Sequence, residues 1–419
     1  MFILRNKACF LSVIIILIGC KSLHINKELK SEYLENQFTG IYIYDLESDK
    51  VLFDFNGDKY FTPASNTKIF TLFTGLSALS DSIPAFKYAV NKDTIIIQGT
   101  GDPSFLHSFF KDSTALKMGK KYKKVKIITN NISDDRFGPG WAWEDFGRYF
   151  SAERSPFPMY GNVVTIQNKN GLKITPNFFK NDIKTNEKGY RREEFINSFY
   201  YGKNRTREAK MPMIIDWTLI ENLWNDILPN KVQLIRSSNL KPSRIAYSIP
   251  ADSLYTRMMK ESDNFLAEQL LVLASSTFSN TLSSATARKF ILENELKDLK
   301  QKPRWVDGSG LSRYNLFTPN SFVHVLTKMY KKIPRERLFS FFSVGGESGR
   351  LKNWFSGKDK PYIYAKSGSL GNNYNLSGYL ITNSGKVLAF SYMNNHFMNS
   401  SSKIKEKMQV ILEKIRDKF

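Results

Sequence analysis

Cysteine is nearly absent from this sequence. The 419 residues include two cysteines, Cys9 and Cys20, and both lie within or at the end of an N-terminal apolar segment. A chain cut after that segment has no pair of thiols for a disulfide bond and no cysteine cluster for zinc. We therefore expect packing rather than cross-links to stabilise the protein, and we expect no metal or other cofactor.

Histidine is also scarce. The four histidines are His24, His107, His324 and His396. None belongs to a His-Glu-x-x-His zinc motif, and the sequence has no Gly-x-Ser-x-Gly turn of the kind that carries the serine of a Ser-His-Asp hydrolase. These two enzyme classes are therefore disfavoured.

Long hydrophobic runs are missing after residue 20, where no segment approaches the ~20 apolar residues that span a bilayer. The first residues differ, because Arg5 and Lys7 precede an apolar run over residues 8–17. This order, followed by small residues, is typical of an export signal.

The end of that run, Leu17-Ile18-Gly19-Cys20, resembles a bacterial lipobox. The resemblance implies a signal peptide over 1–19, a lipid on Cys20 that anchors the protein to a membrane, and a polar tether over 20–37. The protein is then exported to the cell envelope or periplasm. An ordinary cleaved signal peptide and an uncleaved anchor helix are the alternatives.

Acidic residues are few relative to basic ones. There are 61 lysines and arginines against 39 aspartates and glutamates, a net charge of +22. Such a charge favours nucleic acid or an anionic surface as a partner. Export and the lack of zinc-finger or basic-zipper patterns argue against nucleic acid. A generally lysine-rich composition and attraction to anionic envelope polymers both remain as explanations.

The hydrophobic pattern predicts an α/β fold, with an antiparallel sheet flanked by helices and a β-rich insertion. Strands are expected at residues 40–45, 50–55, 362–366, 376–382 and 386–392. Apolar residues at helical spacing predict a helix over 63–79 and an amphipathic helix over 404–415. We assign 38–83 and 249–419 to the main domain and 84–248 to the inserted domain or domains.

Ser65-Asn66-Thr67-Lys68 opens the predicted first helix. Residues three apart lie on one helix face, so the Ser65 hydroxyl and the Lys68 amine are expected to be neighbours. A serine is a weak nucleophile until a base takes its proton, and a desolvated lysine can do so. The helix N-terminus adds partial positive charge where an oxyanion would develop. Such a pair also occurs on solvated helix surfaces, so it is informative only in combination with other motifs.

Two further motifs follow. Ser262-Asp263-Asn264 precedes a helical pattern, and taken alone these residues are typical helix caps. Lys366-Ser367-Gly368-Ser369 ends a predicted strand. There, a lysine can attract a substrate carboxylate, a hydroxyl can hydrogen-bond to it, and a glycine lets the substrate approach the strand edge.

The order Ser-x-x-Lys, Ser-x-Asn, Lys-Ser/Thr-Gly is the signature of the penicillin-recognising serine enzymes. Longer matches narrow the resemblance, and they are Thr62–Lys68, Gly99–Pro103, Pro139–Asp145, Ser262–Glu268, Asp307–Arg313 and Lys366–Leu370. Together they resemble the low-molecular-mass class C penicillin-binding proteins, the D-Ala-D-Ala carboxypeptidase/endopeptidase family. The resemblance covers about residues 38–395 and implies a penicillin-binding, β-lactamase-like acyltransferase domain.

The resemblance implies a role for each motif residue. Ser65 would be the nucleophile and Lys68 the general base. Ser262 would relay a proton to the leaving amine, and Asn264 would orient the substrate amide. Residues 307–312 would form a structural turn beside the site, without a chemical role.

The remaining roles concern substrate binding. Lys366 and Ser367 would hold the terminal carboxylate of the substrate; many relatives carry threonine at position 367, which keeps the hydroxyl. Gly368 allows close approach, and the backbone N–H groups of Ser65 and Ser369 would form the oxyanion hole. Asp145 would pair with the ammonium group of a diaminopimelate side chain, although a surface acid beside two tryptophans would look the same.

The resemblance therefore predicts a serine-type D-Ala-D-Ala carboxypeptidase or endopeptidase. Its substrates would be peptidoglycan stem peptides, and β-lactam antibiotics would be covalent inhibitors. A serine β-lactamase shares the three motifs and is the nearest alternative, although the long insertion and the Asp145 region favour the peptidase. A non-catalytic peptidoglycan-binding lipoprotein is the other alternative, against which stands the presence of every required side chain.

Overall fold

The computed structural model describes residues 36–169, 171–186, 189–229 and 231–419. The predicted signal peptide over 1–19 and the predicted lipid carrier Cys20 lie outside the described residues, as does most of the predicted tether. Among the residues that are described, no helix is both long and apolar enough to cross a membrane.

Strands and helices follow one another along the chain. The strands are β1 (Phe38–Asp45), β2 (Lys50–Phe55), β3 (Ser82–Asn91), β4 (Thr94–Gly99), β5 (Lys124–Ile128), β6 (Val163–Asn168), β7 (Leu172–Thr175), β8 (Ile183–Asn186), β9 (Tyr190–Arg192), β10 (Phe199–Gly202), β11 (Ala209–Pro212), β12 (Val232–Ile235), β13 (Arg244–Pro250), β14 (Ser343–Val344), β15 (Ile363–Leu370), β16 (Asn373–Ile381) and β17 (Val387–Asn395). The α-helices are α1 (Lys68–Ala78), α2 (Thr114–Lys120), α3 (Trp217–Ile227), α4 (Ala251–Lys260), α5 (Asn264–Ser275), α6 (Ser284–Phe290), α7 (Pro319–Lys332), α8 (Arg335–Ser340) and α9 (Ser401–Lys418).

The chain divides into two compact units. The first contains the described residues up to Asn66, together with Leu299–Pro303 and Leu316–Phe419. The second contains the described residues of Thr67–Asp298, together with Arg304–Asn315.

The first unit is built on a six-stranded antiparallel sheet in the order β14-β15-β16-β17-β1-β2. Side chains alternate between the two faces of a strand. On β16, Leu376 and Leu380 belong to the apolar cluster that includes the buried residues of α9. Tyr379 instead stacks on Phe339 of α8 and donates a hydrogen bond to the Leu326 carbonyl of α7 at 2.8 Å. The sheet is therefore covered by helices on both faces, as an α/β fold requires.

The second unit combines helices with several sheets. Its largest sheet has five strands in the order β12-β5-β4-β3-β13, and two three-stranded sheets accompany it. Phe105 stacks on Trp224 with a centroid distance of 5.0 Å, inside an apolar cluster that joins these elements. Helix α5 is buried over residues 265–275, because its sequence is apolar on nearly every side.

The predicted insertion, residues 84–248, begins within β3 and ends within β13, and these two strands are paired. The antiparallel pair β3 and β13 runs from Ser82 opposite Pro250 to Tyr88 opposite Arg244. The chain thus enters and leaves this region at neighbouring positions of one sheet, as is common for inserted segments. The exact domain limits stay a prediction.

Candidate active site

The segment that precedes Ser65 is tied to the central strands of the first unit. The Thr62 amide donates a hydrogen bond to Asn395 Oδ1 at 2.6 Å, and Asn375 Nδ2 donates to the Thr62 carbonyl at 2.9 Å. Asn66 Nδ2 donates to Ser377 Oγ at 2.7 Å. Side chains of β16 and β17 therefore hold the backbone of Thr62 before the candidate nucleophile and the side chain of Asn66 after it.

Ser65 lies in a single 3₁₀ turn, Ala64–Thr67, directly before α1. Its side chain is half-buried. Ala64, the residue before it, has a φ of +48°. This left-handed conformation costs an alanine ~1–2 kcal/mol, and strained residues of this kind concentrate at functional sites because the surrounding structure must hold them.

The strand that carries Lys366, Ser367, Gly368 and Ser369 packs against the same segment. Because Gly368 lacks a side chain, β15 can approach closely: a Cβ atom at 368 would come within 2.4 Å of the Pro63 carbonyl oxygen. Within the first unit, the Lys-Ser-Gly motif and the residues next to Ser65 are thus neighbours.

On one edge of β15, pairing with another strand ends after the first residues of the strand. Strand β14 pairs only with Tyr364 and Ala365, and no strand of the described chain pairs with this edge from Lys366 to Leu370. An unpaired strand edge can accept an extended peptide as an additional strand.

The three polar side chains of this edge differ in exposure. Lys366 is buried, with 1% of its surface exposed, and its Nζ donates to the Ser367 carbonyl at 2.7 Å. Ser367 is half-buried and Ser369 is exposed.

Lys68 is buried in the second unit and has no exposed surface. Its Nζ donates to Asn264 Oδ1 and to the Ser309 carbonyl oxygen, both at 2.7 Å. Asn264 Nδ2 in turn donates to the Phe150 carbonyl at 3.1 Å. This last bond fixes the orientation of the Asn264 amide, so that its oxygen faces Lys68.

Ser262 lies in the turn between α4 and α5. It has a φ of +58° and its side chain is half-buried. The cap of α5 is supplied by Asp263, whose carboxylate accepts from the Leu266 amide at 3.1 Å. Of the three motif residues, Asp263 therefore performs the capping that the composition of the motif suggested.

The turn over residues 307–312 is held by one carboxylate. Asp307 accepts hydrogen bonds from Trp141 Nε1 at 2.9 Å and from the amides of Gly310 and Ser312 at 2.9 and 2.6 Å. Asp307 thus organises the turn, and the turn presents the Ser309 carbonyl to Lys68. This contact could not be predicted from residue types, since every residue has a backbone carbonyl.

Asp145 lies in a short 3₁₀ turn, Trp143–Asp145, and is half-buried. Burial raises the pKa of Asp145, and the nearby Glu144 carboxylate adds to that increase. The cations Arg313 and Arg148 act in the opposite direction. Its predicted pairing with a substrate ammonium stays a prediction.

The structure thus assembles the candidate residues in two groups. Lys68, Asn264 and the Ser309 carbonyl are in contact in the second unit, and the Lys366–Ser369 edge lies beside residues 63–66 in the first. The peptide chain itself links the groups, because Ser65 and Lys68 are three residues apart. Within the described residues, no group of three or more His, Cys, Asp and Glu side chains could hold a metal ion.

A crystal structure of penicillin binding protein 4 (dacB) from Haemophilus influenzae shares this fold. Its TM-score is 0.71 at 20% sequence identity, over 93% of this chain and 97% of that chain. The predicted fold class is therefore confirmed: the chain has the α/β fold of that protein, with an antiparallel sheet flanked by helices and a β-rich insertion.

Sequence comparison gives the family. The model of the D-Ala-D-Ala carboxypeptidase 3 (S13) family matches residues 22–180 and 238–415. The chain therefore belongs to this family, and the predicted family and enzyme class are confirmed.

Two curated relatives that are similar in sequence are also carboxypeptidases. D-alanyl-D-alanine carboxypeptidase DacB from Haemophilus influenzae is 23% identical over 444 residues, which covers 92% of this chain and 91% of the relative. Penicillin-sensitive carboxypeptidase A from Dictyostelium discoideum is 23% identical over 402 residues, which covers 79% of this chain and 76% of the relative.

Proposed function

We propose that this chain cleaves D-alanyl-D-alanine bonds in peptidoglycan stem peptides through an acyl-enzyme on Ser65, with Lys68 as the general base. The observation that carries the assignment is the environment of Lys68. Its amine is buried and is held by two neutral acceptors, Asn264 Oδ1 and the Ser309 carbonyl oxygen. Neither acceptor carries the full negative charge that would keep a lysine protonated.

The two neutral acceptors are compatible with a neutral amine, which has two N–H groups and one lone pair. Asn264 and Ser309 can accept the two N–H groups. We propose that the lone pair takes the proton of Ser65, which is three residues earlier in the chain. Burial favours the neutral form, which is the form that a general base requires.

The reaction proceeds in two steps. Lys68 takes the Ser65 proton as Oγ attacks the carbonyl carbon of the scissile bond. The C–N bond then breaks as Ser262 relays this proton from Lys68 to the leaving amine, which leaves an ester on Ser65 and a neutral Lys68. Water hydrolyses this ester in the second step and restores the serine. The backbone N–H groups of Ser65 and Ser369 stabilise the oxyanion, at ~3 kcal/mol per donor in other hydrolases.

The edge of β15 that no described strand covers provides a binding site for the substrate. A peptide that lies along Lys366–Leu370 as an added strand would present its terminal carboxylate to Lys366 and Ser367. The excess of lysine and arginine over aspartate and glutamate favours binding of such an anionic group. Asp145 pairs with an ammonium on the stem peptide.

Labelling with a fluorescent penicillin tests this assignment. Wild type should form a stable labelled band, and Ser65→Ala should form none. Ser80→Ala, a change at an exposed serine, is the matched control and should label normally. A labelled Ser65→Ala variant would refute the nucleophile assignment. Rapid turnover of a chromogenic cephalosporin by wild type would instead identify a β-lactamase.

We also propose that the protein is exported and held to a membrane by a lipid on Cys20. Support comes from the apolar run and the Leu17-Ile18-Gly19-Cys20 sequence, together with a substrate that lies outside the cytoplasm. Cys20→Ala should move the protein from the membrane fraction to the soluble fraction, whereas Cys9→Ala should not. Equal membrane retention of both variants would contradict lipid anchoring at Cys20.

A further inference from the structure

Glu268 is a buried carboxylate next to the candidate base. It is four residues after Asn264 on α5, so the two side chains lie on the same helix face. Only 1% of its surface is exposed. It ends the Ser262–Glu268 motif, but none of the steps described above gives it a role.

A chain of two hydrogen bonds connects Glu268 to Lys68. The Ser309 amide donates to Glu268 Oε1 at 2.7 Å, and the Ser309 carbonyl accepts from Lys68 Nζ at 2.7 Å. Helix α5 therefore contacts the lysine amine twice, directly through Asn264 and indirectly through Glu268 and Ser309.

Charged groups surround the other carboxylate oxygen. Glu268 Oε2 lies 3.6 Å from Arg154 Nη1, which is also 3.3 Å from Asp134 Oδ2. Arg288 and Asp307 act on Glu268 through their charges as well. Burial and the Asp307 carboxylate raise the pKa of Glu268, and Arg154 opposes them. Because Oε1 accepts from an amide in either protonation state, the bond to Ser309 does not depend on the charge of Glu268.

We infer that Glu268 is a positioning residue: it holds Ser309 so that the Ser309 carbonyl remains an acceptor that orients the Lys68 amine. This inference rests on the proposed function, since it assumes that Lys68 is the base. An unsatisfied Ser309 amide would also be costly in this buried position, so loss of the Glu268 oxygen favours a rearrangement of the turn that moves the Ser309 carbonyl.

The loss of the Glu268 acceptor has two consequences for catalysis. The Lys68 amine loses a contact that orients it, and a small error in the orientation of a reacting group can lower a rate by about 100-fold. The lysine ammonium also loses an acceptor that stabilises it, so its pKa falls. A residue needed only for folding would lower the rate of acylation without moving its pH profile.

The pair Glu268→Gln and Glu268→Met tests the inference. Both variants remove the charge that faces Arg154, and both side chains are close to glutamate in length. They differ in that glutamine retains an oxygen for the Ser309 amide and methionine does not. The charges of Arg154, Arg288, Asp134 and Asp307 are present in both. The second-order rate constant of acylation by a fluorescent penicillin is measured against pH, per folded enzyme.

The expected results separate the two variants. Glu268→Gln should acylate within about three-fold of wild type, with the acid limb of its profile unmoved. Glu268→Met should be slower by roughly 10- to 100-fold, with the acid limb lower by about one pH unit. Equal rates for the two variants would overturn the inference, as would a slow Glu268→Met whose acid limb matches that of wild type.

Folding of Glu268→Met can be checked separately, because it leaves the Arg154 guanidinium without this carboxylate. If it does not fold, Arg154→Met is added to both variants and the same comparison is made between the double variants. A wild type that penicillin does not label would contradict the proposed function itself. A labelled wild type with indistinguishable Gln and Met variants would contradict the role of Glu268 alone.

Discussion

Gly368 lies against Pro63 so closely that an added Cβ atom would be 2.4 Å from the Pro63 carbonyl oxygen and 2.9 Å from the Asn66 amide nitrogen. Both neighbours are backbone atoms, which cannot move away as a flexible side chain could. The position of β15 beside the residues that flank Ser65 therefore depends on the absence of a side chain at 368.

We predict that Gly368→Ala displaces β15 from this segment. The overpacking should lower the free energy of unfolding by about 1–3 kcal/mol and should slow acylation by penicillin. Gly147→Ala is the matched control, because an added Cβ there meets no atom within 4 Å, and it should change stability by less than about 0.5 kcal/mol. Urea unfolding and acylation kinetics measure the two effects; wild-type acylation by Gly368→Ala would show that the close approach is not needed.

A second prediction concerns the contact between Asn264 and Lys68. Asn264→Asp replaces a neutral acceptor at 2.7 Å from Nζ by a carboxylate of the same shape. An opposite charge at this distance raises a lysine pKa by about 1–3 units, so the acid limb of the acylation profile should move to higher pH by a similar amount. Acylation measured across pH tests this, and a profile identical to that of wild type would show that Lys68 is not the group that titrates.

A third prediction concerns Asp102, in the loop after β4. Only 4% of its surface is exposed, and it accepts hydrogen bonds from Ser104 and from Ser248 Oγ on β13. Burial raises the pKa of Asp102 to about 7, above its ordinary value of 3.8. The folded protein then holds this proton over a pH range in which the unfolded chain has lost it. The stability that the proton contributes is fully present below pH ~4 and is lost as the pH rises to ~7, at up to about 1.4 kcal/mol per pH unit.

Asp102→Asn removes this titration while keeping an oxygen for the Ser104 amide. The variant should lose less stability than wild type between pH 5 and pH 8, as measured by urea unfolding at both pH values. All other titrating groups are common to the two proteins and cancel in the comparison. Parallel losses in wild type and variant would contradict the raised pKa.

A fourth prediction separates substrate binding from acylation at Asp145. Asp145→Asn should raise the KM for a stem peptide with a free side-chain amine by about 10-fold, the effect of ~1.4 kcal/mol in binding free energy. The same peptide with an acetylated amine should show no such increase, and acylation by a penicillin without an ammonium group should stay within about two-fold. An equal loss on both peptides would show that Asp145 acts on the enzyme structure rather than on the substrate charge.

The side-chain motifs were predictable from the sequence, but the backbone around them was only partly so. Helical spacing predicted a helix over 63–79, and the structure has the 3₁₀ turn Ala64–Thr67 followed by α1. The difference arises at Ala64, whose φ of +48° is incompatible with a regular helix. Alanine favours helices, so its residue type gave no indication of this conformation.

Strand β15 is a second element whose bounds were only partly predictable from the sequence. Residues 362–366 were predicted, whereas the strand extends to Leu370. Serine and glycine are poor strand formers, but pairing with β16, with Ser367 opposite Leu376 and Gly368 opposite Asn375, supplies hydrogen bonds that local sequence cannot reveal. The Ser309 carbonyl was missed for a related reason, since its position results from the Asp307 turn.

The left-handed backbone at Ser262 restricts which hydroxyl residue can occupy that position. Threonine would offer the same oxygen, but a β-branched side chain is strongly disfavoured at a φ of +58°. Position 367 is extended within β15, where threonine is readily accommodated. Interchange of serine and threonine should therefore be tolerated at 367 and selected against at 262, for reasons of main-chain geometry rather than of proton transfer.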